Sequence, residues 1–338
     1  MGFTTPPRPL DVAALFPQLA PLAREATRLH PRPGAPSVHD SSVGGPLLWP
    51  ADEPWPYCEE PHEKGARAVV LSPADVRVLR RDREAIANRR HLGRPASLPT
   101  PEERATSTRV RQGRPWPEGP IAMLPVAQLY TRDVPLLVSP PGADLLQVLW
   151  CPFDHPTHPR TALRRRSAAT VTDVLDAPPE PAGIRSEGYL PEPCLLAPEQ
   201  VTEYPYFMEL DEELQRQLAE PSRWDASLSG DPQESYRNDL TTAPGWKSGG
   251  WSRWGLGDPV PRPCPECGTE ELPLLTIATT EWNAGSRSWA PEEERTEPTP
   301  VTHGGPANFT MIMIARGYDL QLHACPADPS HPHIELVQ

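Results

Sequence analysis

Apolar positions cluster in this chain in two ways, and each predicts a different element. Residues 121–130 and 143–151 form short apolar runs bounded by turn residues (Pro140-Pro141-Gly142 lies between them), and both are expected to be buried strands. Residues 274–278 and 309–315 have the same character, and residues 318–325 alternate as a half-buried strand does. Helical spacing is found elsewhere. Leu15, Leu19, Leu22 and Leu29 predict a packing helix over residues 10–29, kinked or divided by Pro17 and Pro21. Leu210, Leu214 and Leu218 recur at every fourth position, with Asp211, Glu212 and Glu213 crowding the first turn where a helix dipole favours acid. Ser72-Pro73-Ala74-Asp75 has the form of a helix start, and residues 198–204 suggest a further turn or two.

Composition shortens these elements. Of 338 residues, 49 are proline, each without a backbone donor, so long uninterrupted helices are not expected and loops and short strands are. With 37% hydrophobic residues the chain can still build a core. The expected fold is α+β, with mixed or antiparallel sheets from two pseudo-symmetric half-domains, short helices and many loops. The two halves show in an internal repeat. Gly44-Gly45 with Trp49 is matched by Gly249-Gly250 with Trp251 and Trp254. Cys58 follows Gly45 by 13 residues, and Cys264 follows Gly250 by 14. Gly142-Ala143-Asp144-Leu145 leading to Cys151-Pro152 is matched by Gly317-Tyr318-Asp319-Leu320 leading to Cys325-Pro326. The chain accordingly divides into an N-terminal helical extension (1–40), a first half-domain (41–175) with a basic insertion (72–114), a helical connector (176–245) and a second half-domain (246–338). Together they are expected to form one compact unit about a pseudo-twofold axis.

Five of the six cysteines lie in clusters with histidine or with each other. Cys58 and His62, and again Cys151 and His155, are spaced C-x3-H, so that each pair can reach one ion from a turn. Together they make a Cys2His2 set. Cys264-Pro265-Glu266-Cys267-Gly268 is a C-P-x-C-G turn that aims successive amides at sulfur. Cys325 supplies a third thiol to that second set. The fourth ligand is the repeat-matched His331, with His323 and His333 as competitors. Thiolate and imidazole at these spacings suit zinc in a closed, structural site. The alternative is unmetalled core cysteines with incidental histidines. Cys194 stands alone and reads as a small buried hydrophobe.

The net charge of −13 argues against a general nucleic-acid binder. One segment runs the other way. From Lys64 to Arg114 there are 13 Lys and Arg against 5 Asp and Glu, a surplus of eight, which leaves −21 on the rest of the chain. Such a basic arm could grip phosphates or an acidic partner. The plainer expectation is that it folds back on the acidic body. No stretch approaches the 18 apolar residues of a membrane span, and the opening residues carry prolines where a secretion signal needs an apolar run; a cytoplasmic protein is expected. There is no P-loop or G-x-G-x-x-G spacing.

Ser42-Val43-Gly44-Gly45-Pro46-Leu47-Leu48-Trp49-Pro50, Pro125-Val126-Ala127-Gln128-Leu129, Asp144-Leu145-Leu146-Gln147-Val148-Leu149-Trp150-Cys151-Pro152 and Lys247-Ser248-Gly249-Gly250-Trp251 resemble the YwqG-like family of uncharacterised bacterial proteins, in its cysteine-containing branch common in actinobacteria. The resemblance covers most of residues 40–338. It implies an α+β fold with internal pseudo-symmetry. It brings no established activity, although some members sit beside bacterial toxin systems. Related sequences often end with C-x2-C-P; here Leu322 holds the first of those cysteine positions, beside His323. Two functions then compete. The first is a non-enzymatic interaction protein with structural zinc and a protein partner, a toxin or another. Its tryptophans (Trp246, Trp251, Trp254, Trp282 and Trp289) either pack the core or line a binding groove. The second is a metal-dependent hydrolase with an open site and a general base among Glu59, Glu60 and Asp154. A nucleic-acid role for Arg77 to Arg94 ranks below both. Oligomeric state is not encoded in any feature of the sequence.

Overall fold

The computed structural model describes residues 2–62, 69–91, 98–155, 157–224, 230–295 and 305–338, and of Asn88, Arg90 and His91 only the backbone. Lys64, Arg67 and Arg94 of the basic segment lie outside the described residues. In chain order the elements are α1 (Val12–Leu15), β1 (Arg24–Arg28), β2 (Arg32–Pro33), β3 (Ser42–Val43), β4 (Tyr57–Cys58), α2 (Pro73–His91), α3 (Pro101–Arg111), β5 (Ile121–Ala122), β6 (Leu124–Tyr130), β7 (Leu145–Asp154) and β8 (Pro159–Arg166). They continue with β9 (Cys194–Leu195), β10 (Glu199–Glu203), α4 (Glu212–Ala219), α5 (Pro232–Ser235), β11 (Lys247–Gly249), β12 (Leu272–Ile277), β13 (Leu320–Ala324) and β14 (Ile334–Val337).

Two six-stranded antiparallel sheets carry the fold, ordered β2-β9-β3-β6-β7-β8 and β10-β1-β11-β12-β13-β14, with β4 and β5 forming a small third sheet. Two corresponding sets of four strands, β3-β6-β7-β8 and β11-β12-β13-β14, follow the internal repeat. Even their irregularities agree. β6 has a register shift between Pro125 and Ala127, and β12 has one between Pro273 and Leu275. Proline cannot donate to a ladder, so each strand bulges beside it. The other two strands of each sheet come from the beginning and middle of the chain. β1 pairs β10 and β2 pairs β9, so two antiparallel segments, 24–33 and 194–203, run as a ribbon from one sheet into the other.

Period-two alternation sorts the long strands. Leu146, Val148 and Trp150 on β7, and Leu320, Leu322 and Ala324 on β13, enter one apolar core shared by both sheets. Trp246, Leu274, Leu275, Ile277, Ile312 and Ile314 fill the same core. The residue next along each strand, Cys151 or Cys325, therefore falls on the opposite face, buried in both cases. β7 is buried on both faces because smaller clusters (Leu149 with Trp49 and Trp55; Cys151 and Phe153 with Val70) cover its far side.

Several sequence expectations are corrected. Residues 10–29 are not one helix: after α1 comes a 3-10 turn (Pro17–Leu22), then β1. The prolines remove the donors that would continue the helix, and residues 24–28 find ladder partners on both sides. Residues 199–203 are strand β10, not helix, because they pair antiparallel with β1. Residues 309–315 form a buried loop, not a strand; Met311 and Ala315 take φ of 56° and 39°, which no extended chain permits. Conversely, the proline content does not prevent a 19-residue helix, α2, because its one proline stands at the first position. Ser72 does cap α2: its Oγ accepts from Asp75 N at 3.1 Å while Asp75 Oδ2 accepts from Ser72 N at 3.0 Å. Asp211 caps α4 through Leu214 N at 2.8 Å. Asp211→Ala is expected to cost about 1 kcal/mol in a urea melt; an unchanged midpoint would count against the cap.

The described helix α2 of the basic segment folds back on the body. Arg80, only 9% exposed, binds Glu192 and the carbonyl oxygens of Glu187 and Leu190, while Arg77 pairs with Glu180, Arg83 with Glu187 and Arg114 with Asp75. The exposed pairs add little stability individually, but they tie these five arginines, Arg89 with Glu103 included, to carboxylates of the protein itself.

A layer of buried charge runs along β1 and β11. Lys247 and Glu203, 1% and 0% exposed, pair at 2.6 Å. Glu203 also accepts from Ala243 N and Trp251 N, and Lys247 donates to Trp251 O, so the pair is fully bonded. Gly250 is required here, because a Cβ would lie 2.2 Å from Glu203 Oε2. Nearby, burial raises the Glu281 carboxyl to about 7, against the pull of Arg28. A raised carboxyl stabilises the fold below the unfolded value near 4.5 and loses that contribution as pH climbs to about 7. Relative to the parent, Glu281→Gln should therefore gain on the order of 1–3 kcal/mol between pH 5 and 7.5. Its Oε1 can still accept from Trp246 N, as Glu281 does. Urea melts at the two pH values would refute this if the variant and parent shifted in parallel.

Candidate metal centres

Both centres are built by the same local arrangement. In the first half, Cys58 ends β4 and His62 lies in the loop beyond it, while Cys151 lies on the outward face of β7 and His155 just past that strand. Cys58 Sγ is 3.6 Å from both His62 Nε2 and His155 Nε2, and His62 Nε2 is 3.1 Å from both Cys151 Sγ and His155 Nε2. All four ligand atoms lie within 4.8 Å of one another. A tetrahedral ion with sulfur at about 2.3 Å and nitrogen at about 2.0 Å requires S···N edges of about 3.6 Å and N···N edges of about 3.3 Å. The separations of Cys58 from both histidines and of the two histidines from each other lie near these figures, the Cys151–His62 separation is shorter, and the group could hold a metal ion.

In the second half, Cys264 and Cys267 come from the turn before β12, Cys325 directly follows β13, and His331 comes from the loop leading to β14. Their ligand atoms also lie within 4.8 Å of one another. Cys264 Sγ is 3.4 Å from His331 Nδ1, and Cys267 Sγ is 3.5 Å from Cys325 Sγ. The C-P-x-C-G turn closes through Gly268 N to Cys264 O and Cys264 N to Thr269 O, both 2.8 Å. The amides of Cys267 and Glu266 point at Cys264 sulfur. Hydrogen bonds from Thr269 draw the Cys267 thiol down to about 6. Its thiolate form, the form that ligates, is thereby favoured.

The competing histidines are engaged elsewhere. His323 is fully buried against Ser252 Oγ at 2.9 Å, and burial lowers it to about 3. His333 Nε2 lies 2.7 Å from Thr161 Oγ1 and near Glu335. Leu322 is a core residue and offers no ligand. Each cluster has a carboxylate on the far nitrogen of one histidine: Glu60 lies 3.4 Å from His155 Nδ1, and Asp328 lies 3.8 Å from His331 Nε2. Such partners fix the tautomer and orientation of a ligating imidazole. Glu60 also pairs with Arg160, and Asp154 accepts from Tyr189 OH at 2.5 Å. Glu60 thus supports a cluster histidine, while Asp154 is bonded to Tyr189.

Between the centres, Glu335 on β14 accepts from Thr161 N on β8 and lies 3.3 Å from His158 Nε2. It joins the outer strands of the two sheets. Asp328 with His331 is the repeat match of Asp154 with His155 in the sequence, but Glu335 carried no signal there.

Of the tryptophans, Trp246, Trp254, Trp282 and Trp289 are buried and so line no groove; Trp251 is half-buried beneath the Arg24 guanidinium, 3.5 Å from its ring centre. Among the described residues no helix is long and apolar enough to cross a membrane. No protein-family model matches the chain, and no curated protein matches it.

Proposed function

We propose that this is a non-enzymatic interaction protein of the YwqG-like kind, in which one zinc ion in each half acts as a structural clamp. The observation that carries this reading is that each cluster supplies four protein ligand atoms within 4.8 Å of one another. A filled set of that kind leaves no position for a catalytic water. Sulfur in both sets favours zinc over the oxygen-seeking ions. The partner we propose is a basic protein, such as a toxin, since the chain carries a net charge of −13.

Elemental analysis of the purified protein should find two zinc ions per chain. His331→Ala should lower the content to one, whereas His333→Ala should leave it at two. A content of two in both variants would remove His331 from the set. An ion that dialyses away from an intact fold, together with hydrolysis of generic ester or phosphate substrates, would favour the metal-dependent hydrolase instead.

A further inference from the structure

A second polar feature lies in the second half of the chain and shares no residue with either metal centre. A cleft of about 220 Å³ opens there, lined by Arg253, Gly255, Asn283, Ser286, Asp319 and Gln338 among others. That is the space of roughly seven water molecules, below the size of drug-sized pockets. Arg253 has no hydrogen-bond partner or ion pair for its guanidinium among the described residues, although Asp319 attracts it across the cleft. Beside it, three successive backbone amides, Gly255 N, Leu256 N and Gly257 N, converge on one acceptor, Gln338 Oε1, at 3.2, 3.1 and 3.1 Å. Successive amides turned to one point form an anion-binding concavity, and here a neutral amide oxygen fills it.

We propose that this cleft binds a small oxyanion, the carboxylate or phosphate group of a polar metabolite, with Gln338 Oε1 marking the place of an anionic oxygen. The ligand would displace the Gln338 side chain, take the three amides and complete the free fork of Arg253, which suits a planar or tetrahedral oxyanion. The opposite wall selects what else the ligand carries. Asp319 Oδ1 already accepts from Thr279 N at 3.0 Å, and burial raises its carboxyl to about 6. Ser286 Oγ donates to Asn283 Oδ1 in the same wall. An acidic wall repels a second anionic group, so the ligand has one oxyanion and hydrogen-bond donors at its other end.

The test uses the metal-replete full chain, titrated with sodium phosphate and separately with sodium acetate. Ionic strength is held with chloride, and the melting temperature is read at each step. Half-saturation at low-millimolar concentration is expected for at least one of the two. The one that binds more tightly identifies a tetrahedral or a planar group. Arg253→Gln should weaken binding roughly tenfold, about the loss of one charge-assisted contact. Gln338→Gly should tighten it several-fold by emptying the amide concavity. The variant loses the attraction between Arg253 and Asp319, so each titration is read as the shift from that protein's own melt in chloride alone. No response to either salt up to about 50 mM, a concentration well above the expected constant, would overturn the proposal. So would half-saturation that is the same in parent and Arg253→Gln, or that is unaffected by Gln338→Gly.

Discussion

Stripping the purified protein of metal with a strong chelator at neutral pH should lower its melting temperature by roughly 10 °C or more. The reason lies in where the ligands sit. Burial drives the Cys151 thiol well above its ordinary range and raises Cys58 as well, while it lowers His62 and His155. Without an ion, this pocket holds neutral thiols and neutral imidazoles close together with little to bond to. With an ion, the same groups join strands distant in sequence, since 89 residues separate His62 from Cys151. Binding free energy of a site absent from the unfolded chain is folding free energy. Cys151→Ser should lower the melting temperature by part of that amount, with loss of one of the two ions per chain. Restoring zinc to the stripped parent should restore the melt; a stripped protein that melts with the holo form would remove the structural role.

Lys247→Met should destabilise the protein by about 3–5 kcal/mol, measured by urea denaturation. The substitution leaves the Glu203 carboxylate fully buried with only two backbone donors, Ala243 N and Trp251 N. Burial already pulls the Lys247 ammonium down, and Glu203 is what opposes that pull. A lone buried charge is far worse than none. The double variant Lys247→Met with Glu203→Gln should therefore recover part of the loss, because no buried charge remains and the amide oxygen still accepts from one of the two backbone donors. A loss below about 1 kcal/mol in the single variant would mean that water reaches the carboxylate.

Much of this was legible in the residues themselves. Cys58, His62, Cys151 and His155 announced a ligand set by spacing, and the C-P-x-C-G turn announced another, because metal geometry constrains local sequence. Strands β6, β7, β12 and β13 showed in their apolar runs. The failures share a cause. Residues 24–28 and 199–203 carry polar side chains that give no strand signal of their own, and their conformation comes from each other and from β11. Residues 309–315 are apolar because they are buried, yet their backbone turns left-handed to reach that burial. The pairing of Lys247 with Glu203 joins positions 44 apart, and no local pattern carries it.

The ribbon of residues 24–33 against 194–203 has a consequence for how the protein is made. Each half takes two of its strands from outside its own repeat, so a fragment such as 246–338 would leave the edge of β11 bare and invite aggregation. On the ribosome the first sheet must wait for residue 195 before closing, and the second for residue 337. Such distant pairings slow folding. The nascent chain should accordingly remain a client of chaperones until nearly its whole length has emerged.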